Sequence, residues 1–182
     1  MNLDIEYIMP AHGIIWKDYI ADIIETYKGI AAQKVENKAV IVYESVWKHT
    51  QQIAESLAEG FSDAGMDVKV YKLSDTKSSI VMREIMDAKV VCIGSGTYNN
   101  VMAPSVAAFL EHIRPCKFKN KKGLAFAAYG WFNQVAKEID TRMQQSGIES
   151  CHDVINQCYT PSDDQLEDYF NVAKEIAKNC QE

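Results

Sequence analysis

Two hydroxyl side chains, five residues apart, bracket a short segment that leads directly into a stretch with helical periodicity. The segment reads Ser45, Val46, Trp47, Lys48, His49 and Thr50. The first turn of a helix has backbone N–H groups without acceptors and the positive end of the helix dipole, so this position favours an anion. We therefore expect Ser45 and Thr50 to hold a phosphate group, assisted by the charge of Lys48. The alternative is that Thr50 caps the helix and Ser45 lies in a turn.

A second segment combines a glycine with small polar side chains after another apolar run. It reads Ser95, Gly96, Thr97, Tyr98, Asn99 and Asn100. Glycine permits a close approach of the backbone to a ligand, and the hydroxyl and amide groups supply donors and acceptors for the polar edge of a planar molecule. The same composition is common in turns, so a purely structural turn is the alternative.

A third segment places aromatic residues around a glycine. It reads Ala128, Tyr129, Gly130, Trp131 and Phe132, followed by Asn133. Aromatic rings flank planar ligands by offset stacking, which contributes roughly 0.5–1.5 kcal/mol beyond area burial. The alternative is that these rings belong to the core or to an interface. Together with Trp47 and Tyr98, they predict an aromatic crevice for a planar ligand.

Short apolar runs alternate with amphipathic stretches, and this pattern predicts the elements that position the three segments. The predicted strands are 38–43, 68–73, 89–94, 123–129 and 154–159, and helices are predicted after each of them. Apolar strands with helices between them favour a parallel sheet that is covered on both faces. Right-handed crossovers then predict a doubly wound α/β sheet of five parallel strands in the order 2-1-3-4-5, with helices on both faces.

The predicted strand order brings the three segments together. In an open parallel sheet, ligands bind beyond the carboxyl ends of the strands, where the strand order reverses. In this order, those ends belong to the first, third and fourth strands, which lead into the three segments. We therefore expect segments that are far apart in the sequence to form one crevice.

Composition and charge exclude several classes of function. The chain has 182 residues, which fits one main domain, and its formal net charge of −6 disfavours binding to nucleic acid. No apolar run is long enough to cross a bilayer, and the first residues lack the pattern of a secretory signal. The five cysteines have no CxxC spacing, so we expect reduced thiols in a cytoplasmic protein and no metal site.

Residues 1–37 differ from the remainder of the chain, 38–182. Ile5–Met9 is a candidate strand, residues 20–27 carry a short helical stripe, and residues 29–37 are typical of a linker. A segment this short cannot bury a core of its own. We therefore expect it to pack on the main domain or on another chain, or to be the end of a domain that is absent here.

The three segments resemble the C-terminal part of the flavodiiron proteins, also called A-type flavoproteins or rubredoxin:oxygen oxidoreductases. VYESVWKHT is similar to a family segment YDSMWxxT, GSGTYNNVMAPSV to GSPTxNNxxxPSV, and KKGLAFAAYGW to KKGxAFGSYGW, in the same order and with similar spacing. The resemblance implies a flavodoxin-like domain that binds FMN through the three segments and accepts electrons from a partner such as rubredoxin or a flavin reductase. It assigns no catalytic side chain, because the redox chemistry belongs to the cofactor. An oxidoreductase activity would require the complete flavodiiron system, and a homo-oligomer is left open.

The N-terminal segment resembles the end of the metallo-β-lactamase-like diiron domain of the same family. IEYIMPAHGIIWKDY is similar to a segment with the form PSHGxIWR, whose histidine binds iron, and His12 occupies that position. The other iron ligands of the family lie in an HxExDH-like motif and further sites, which this sequence lacks. The resemblance therefore implies that residues 1–37 are a remnant of that domain plus a linker, without a metal site of their own.

Several positions depart from the family pattern. Lys48 and His49 replace small residues, and Gly96 replaces a proline. Ala128 replaces a serine, and Phe132 stands where a small residue is frequent. These differences motivate one alternative to an electron-transfer flavoprotein, a flavin-free interaction module with the same fold. The other alternative is a stand-alone FMN-dependent reductase, which would need a nicotinamide donor site that no sequence feature indicates.

Overall fold

The computed structural model describes residues 4–181 of the chain. The chain divides into two compact units, Met1–Lys34 and Val35–Glu182. The strands are β1 (Glu36–Glu44), β2 (Asp67–Lys72), β3 (Ala88–Tyr98), β4 (Val101–Met102), β5 (Lys122–Tyr129), β6 (Glu149–Ser150) and β7 (Ile155–Cys158). The helices are α1 (Ile20–Ala31), α2 (His49–Asp63), α3 (Ser78–Met86), α4 (Pro104–Ile113), α5 (Val135–Gln145) and α6 (Asp163–Gln181).

The smaller unit contains α1 and little other regular structure. The strand expected at 5–9 is not formed, and a single antiparallel bridge joins Ile8 to Trp16 instead. The expected linker is also shorter, because α1 continues to Ala31 and β1 already begins at Glu36. None of residues 4–34 is buried, which agrees with the small amount of apolar surface that so short a segment can enclose.

The sheet of the larger unit confirms the predicted α/β fold with the order 2-1-3-4-5. β1 lies between β2 and β3, and β5 follows β3, all in parallel. The fifth position is shared by β6 and β7, which pair with successive parts of β5. β4 was not expected; it pairs antiparallel with the end of β3.

Both faces of the sheet are covered by helices, as the continuous apolar run of β1 predicts. Val40 and Val42 belong to the cluster that contains the buried side chains of α3, α4 and α5. Ile41 and Tyr43 belong to the cluster with α2 and α6. Because side chains alternate along a strand, one short run supplies two cores and fixes the register of the central strand.

Local sequence signals fix several helix ends. The N–H of Ser162 donates to Gln165 Oε1 at 3.0 Å, and the N–H of Gln165 donates to Ser162 Oγ at 3.3 Å, which forms a capping box at the start of α6. Pro104 begins α4, where its missing N–H costs no hydrogen bond. Gly147 follows α5 with φ 89°, and a Cβ there would lie 2.2 Å from the carbonyl oxygen of Phe118.

A buried lysine directly precedes β5, at the amino edge of the sheet. Lys121 is 2% exposed, and its ammonium donates to the carbonyl oxygens of Met86 at 3.0 Å and Ala88 at 2.9 Å. Burial lowers the pKa of Lys121 to about 8; the charge of Lys38 adds to the shift, and Asp87 opposes it. The folded chain therefore releases this proton more readily than the unfolded chain does.

We predict that Lys121 makes the stability of the protein rise with pH between about 8 and 10.5, the two pKa values of this group in the folded and unfolded chain. In that window the unfolded chain holds a proton that the folded chain has released, so the free energy of unfolding increases with pH. The rise is on the order of 3 kcal/mol, at about 1.4 kcal/mol for each unit of pKa difference. Urea unfolding at several pH values, compared with Lys121→Met, measures it. Equal slopes in the two proteins would contradict the prediction.

Candidate functional site

The carboxyl ends of β1, β3 and β5 lie side by side at one edge of the sheet. Glu44 pairs in register with Ser95, and Gly96 pairs with Ala128. A cavity of about 420 Å³ opens at this edge. It is lined by Ser45, Val46, Trp47, His49, Thr50, Gly96, Thr97, Tyr98, Asn99, Ala128, Tyr129, Gly130, Trp131 and Tyr159. The three segments singled out in the sequence thus contribute to one cavity.

The first segment ends at an uncapped helix. α2 begins at His49, and its N-cap residue Lys48 has a left-handed backbone with φ 67°. No side chain caps this end, so the N–H groups of the first turn lack a side-chain acceptor. The alternative that Thr50 caps the helix is wrong, because Thr50 lies within the first turn.

Two buried hydroxyls accompany these N–H groups. Ser45 and Thr50 are 8% and 1% exposed, and both line the cavity. Within residues 4–181, neither hydroxyl forms a hydrogen bond with another group of the chain. A Cβ at Gly96 would lie 3.7 Å from Thr50 Oγ1, so the absence of a side chain at Gly96 keeps space open beside this hydroxyl. Uncapped N–H groups and free hydroxyls together form a donor set for an anion.

A hydrogen bond ties the start of α2 to the segment after β7. The Nε2 atom of His49 lies 3.0 Å from Thr160 Oγ1. Thr160 follows Tyr159, which also lines the cavity. The first segment is therefore connected to the fifth position of the sheet as well as to its own strand.

The second segment is mostly strand, whereas the predicted strand ended at residue 94. β3 continues through Tyr98 and returns as β4 after a turn of two residues, Asn99 and Asn100. Both have positive φ, 45° and 67°, and asparagine tolerates this conformation better than most residues. Ser95 is fully buried; its hydroxyl donates to the carbonyl of Gly96 at 2.7 Å and accepts from the N–H of Ala103 at 2.8 Å.

The third segment supplies an exposed tryptophan to the rim. Trp131 and Trp47 are each 80% exposed, so the alternative that these two rings belong to the core is wrong. The indole N–H of Trp131 donates to Asn100 Oδ1 at 3.0 Å. The hydroxyl of Thr97 donates to the carbonyl of Phe132 at 3.4 Å. Two hydrogen bonds thus join the second segment to the third.

Tyr159 lines the cavity but was not among the residues predicted from the sequence. This residue follows β7 with φ 56°, and its N–H donates to the carbonyl of Tyr129 at 2.8 Å. Its ring lies beside Gly130, where an added Cβ would be 3.4 Å from it. The signal was available, because Tyr159 also stands at the carboxyl end of a predicted strand.

Four residues singled out in the sequence do not line the cavity. Lys48 is the exposed N-cap residue of α2, and Ser95 ties the end of β3 to the start of α4. Asn100 holds the indole of Trp131, and Phe132 packs against the core beneath the segment. These four residues therefore do not contact the cavity directly.

The buried carboxylate of Glu44 binds Ser45, which lines the cavity. Glu44 is 8% exposed; its Oε1 accepts the N–H of Ser45 at 3.0 Å and the hydroxyl of Ser74 at 3.4 Å, and its Oε2 accepts the hydroxyl of Ser105 at 3.3 Å. Burial, and secondarily the charge of Glu44, raise the pKa of Tyr98. Tyr98 therefore retains its proton at neutral pH and can act as a hydrogen-bond donor.

The arrangement suits an elongated ligand that is anionic at one end and planar at the other. The rim adds apolar surface, since Val46 and Tyr159 are 57% and 62% exposed. Among the described residues, no group of three or more His, Cys, Asp or Glu side chains could hold a metal ion. None of the helices described is long and apolar enough to cross a membrane.

Comparison with known proteins places this geometry in a family. The flavodoxin family model matches residues 41–172. A nitric oxide reductase of Moorella thermoacetica is 40% identical over 82% of this chain and 37% of its own length. The rubredoxin oxygen:oxidoreductase of Desulfovibrio gigas superimposes with a TM-score of 0.92 at 33% identity, over 97% of this chain and 44% of that one.

A flavodoxin from the domain Archaea superimposes with a TM-score of 0.72 at 25% identity, over 80% of this chain and 99% of that one. This chain thus spans less than half the length of the nitric oxide reductase and the oxidoreductase, but nearly all of the flavodoxin. The resemblance to the flavodoxin-like part of flavodiiron proteins is confirmed, and it indicates FMN as the cofactor. On these grounds, the chain belongs to the flavodoxin family.

Proposed function

We propose that the larger unit binds one FMN in the cavity and transfers electrons through it. The observation that carries this proposal is the combination, in one cavity, of an uncapped helix end with two buried, unbonded hydroxyls and an aromatic rim. The two features suit the phosphate and the planar ring of FMN. When bound, FMN supplies redox chemistry that protein side chains do not provide.

The groups that bind the phosphate of FMN have to overcome the unfavourable net charge of the chain. The chain carries a formal net charge of −6, which repels a phosphate with nearly two negative charges. The local donors are the first-turn N–H groups of α2 and the hydroxyls of Ser45 and Thr50. Hydrogen bonds to charged groups contribute roughly 1.5–3 kcal/mol each, so a few of them exceed a screened long-range repulsion.

The ring end is provided by exposed aromatic side chains. Trp47 and Trp131 are each 80% exposed in the free chain, so a planar ligand between or against them would bury apolar surface on both partners. Tyr98 keeps its proton and can donate to a polar edge. These side chains bind and orient a ring and exclude water from it, and they take no part in proton transfer.

We also propose a redox partner protein, such as a rubredoxin or a flavin reductase, that approaches the exposed apolar rim. The name of the Desulfovibrio gigas protein, rubredoxin oxygen:oxidoreductase, connects that protein with rubredoxin. Residues 1–37 are proposed to correspond to the end of a metallo-β-lactamase-like domain plus a linker. The similarity to the same protein covers 97% of this chain and so includes part of this segment.

Absorbance and cofactor extraction of the purified protein test the proposal directly. We expect one FMN per chain, with absorbance maxima in the flavin region, or its uptake on titration. A colourless protein that does not take up added FMN would instead favour the flavin-free interaction module. Rapid bleaching by NAD(P)H alone would favour the stand-alone reductase.

We predict that Thr50→Val weakens FMN binding roughly tenfold or more, because it removes a hydroxyl that is 1% exposed and available to a charged phosphate. Lys48→Ala should weaken it less, by about fivefold or below, since an exposed ion pair contributes about 1 kcal/mol at most. Neither change should alter the binding of riboflavin, which has no phosphate. Titrations of both flavins with both variants measure this. Equal weakening of riboflavin and FMN by Thr50→Val would show that the first segment is not the phosphate site.

We predict that Trp47→Ala and Trp131→Ala each raise the dissociation constant of FMN and of riboflavin, because each removes a ring from the rim of the cavity. Bound flavin should also quench tryptophan fluorescence. Trp16→Phe is the matched control, since Trp16 does not line the cavity. Unchanged dissociation constants in both alanine variants would show that the two tryptophans have another role.

We predict that the chain binds less than one iron per molecule after reconstitution with ferrous iron. His12 is the residue that matches a family iron ligand, and the described residues offer no group of three or more ligand-type side chains. A single imidazole does not hold a diiron centre. Metal analysis after gel filtration measures the content, with His12→Ala as the comparison. Two firmly bound irons per chain would contradict the prediction.

A further inference from the structure

Trp131 combines high exposure with a directed hydrogen bond. Its side chain is 80% exposed, and its indole N–H donates to Asn100 Oδ1 at 3.0 Å. A tryptophan with so little packing would otherwise exchange between rotamers on the nanosecond timescale. The bond to Asn100 is therefore the contact that selects one orientation of the ring.

Asn100 is a rigid acceptor because of its place in the backbone. It is the second residue of the turn between β3 and β4, where Tyr98 pairs with Val101 and Thr97 pairs with Met102. Such two-residue turns have a fixed geometry with positive φ at both positions, and Asn100 has φ 67°. The turn is short and paired on both sides, so the backbone that carries the side-chain amide of Asn100 has little freedom.

A second hydrogen bond joins the same two segments. The hydroxyl of Thr97 donates to the carbonyl of Phe132, next to Trp131, at 3.4 Å. The hairpin is in turn held at its base, where Ser95 Oγ accepts the N–H of Ala103 at 2.8 Å. The backbone that carries Trp131 and the turn that holds its ring thus belong to one connected structure.

We propose that Asn100 is a positioning residue that holds Trp131 as a preformed wall of the cavity before any ligand enters. The proposal rests on the proposed function, because the wall is argued to face a flavin ring. Ordering a side chain in advance removes that entropy cost from the binding step. Asn100 does not line the cavity, so it acts through Trp131. Because Trp131 is argued to face the flavin ring, which FMN and riboflavin share, the loss of Asn100 should change the dissociation constants of both flavins equally.

The first experiment needs no ligand. The chain has three tryptophans, so Trp16→Phe and Trp47→Phe together leave Trp131 as the single tryptophan, which can be excited selectively at the red edge of the protein absorbance. Asn100→Gly removes the acceptor but keeps a residue that accepts positive φ. Asn99→Gly is the matched control in the same turn, since Asn99 also has positive φ, 45°, and makes no bond to the indole. We expect faster decay of the Trp131 anisotropy in Asn100→Gly and no change in Asn99→Gly.

The second experiment measures flavin binding with the other tryptophans restored. Asn100→Gly should raise the dissociation constants of FMN and riboflavin by the same factor, roughly threefold to tenfold, the range of one neutral hydrogen bond. Trp131→Phe keeps a ring but removes the indole N–H. Adding Asn100→Gly to Trp131→Phe should therefore weaken binding no further, whereas independent effects would multiply.

The outcomes separate this proposal from the proposed function. Unchanged anisotropy in Asn100→Gly, or multiplied effects in the double variant, would overturn the positioning role. Weakening of FMN alone would overturn it as well, because Asn100 would then act at the phosphate end. If the unmodified protein bound no flavin, the proposed function would fail, and the anisotropy of the free chain would still decide whether Asn100 holds Trp131.

Discussion

The reversal of strand order beside β1 is the constraint on which the site depends. The chain leaves β1 to pair β2 on one side and then crosses to pair β3 on the other. The connections from the adjacent carboxyl ends therefore run to opposite faces of the sheet, and they leave a cavity between them. Because α2 follows β1, the amino end of α2 also lies at this cavity. The strand order therefore determines the position of the proposed anion site.

Hydrogen bonds between segments then give this opening a definite shape. Asn100 and Thr97 join the hairpin to the third segment, and His49 lies within hydrogen-bond distance of Thr160. Glu44 accepts hydrogen bonds from its neighbour Ser45 and from two other stretches of chain, through Ser74 and Ser105. Apolar packing alone could not orient side chains as exposed as Trp131. The polar contacts thus decide the geometry of the rim, while the two apolar clusters decide the fold.

Much of the fold and part of the site could be predicted because their signals are local. KAVIVY is apolar at successive positions, and only a strand with two covered faces buries both of its sides. The capping box of Ser162 and Gln165 is a local feature in the same sense, because its two residues stand three positions apart. The hairpin of β3 and β4 was not predicted, because its polar residues and its two consecutive asparagines are also typical of irregular turns. Tyr159 was not predicted, because the reversal of strand order points to the ends of β1, β3 and β5, whereas Tyr159 follows β7 at the fifth position of the sheet.

The sequence by itself determined the parallel sheet, its order, the three segments that meet at its edge and the family they resemble, because periodicity and short motifs are carried by neighbouring residues. Only the tertiary structure decided which of those residues face the cavity. Ser95 and Asn100 have the composition of ligand contacts, yet one fastens a hairpin and the other holds an indole. The role of a polar group depends on which hydrogen-bond partner lies within about 3 Å of it. Those partners come from residues that are distant in the chain.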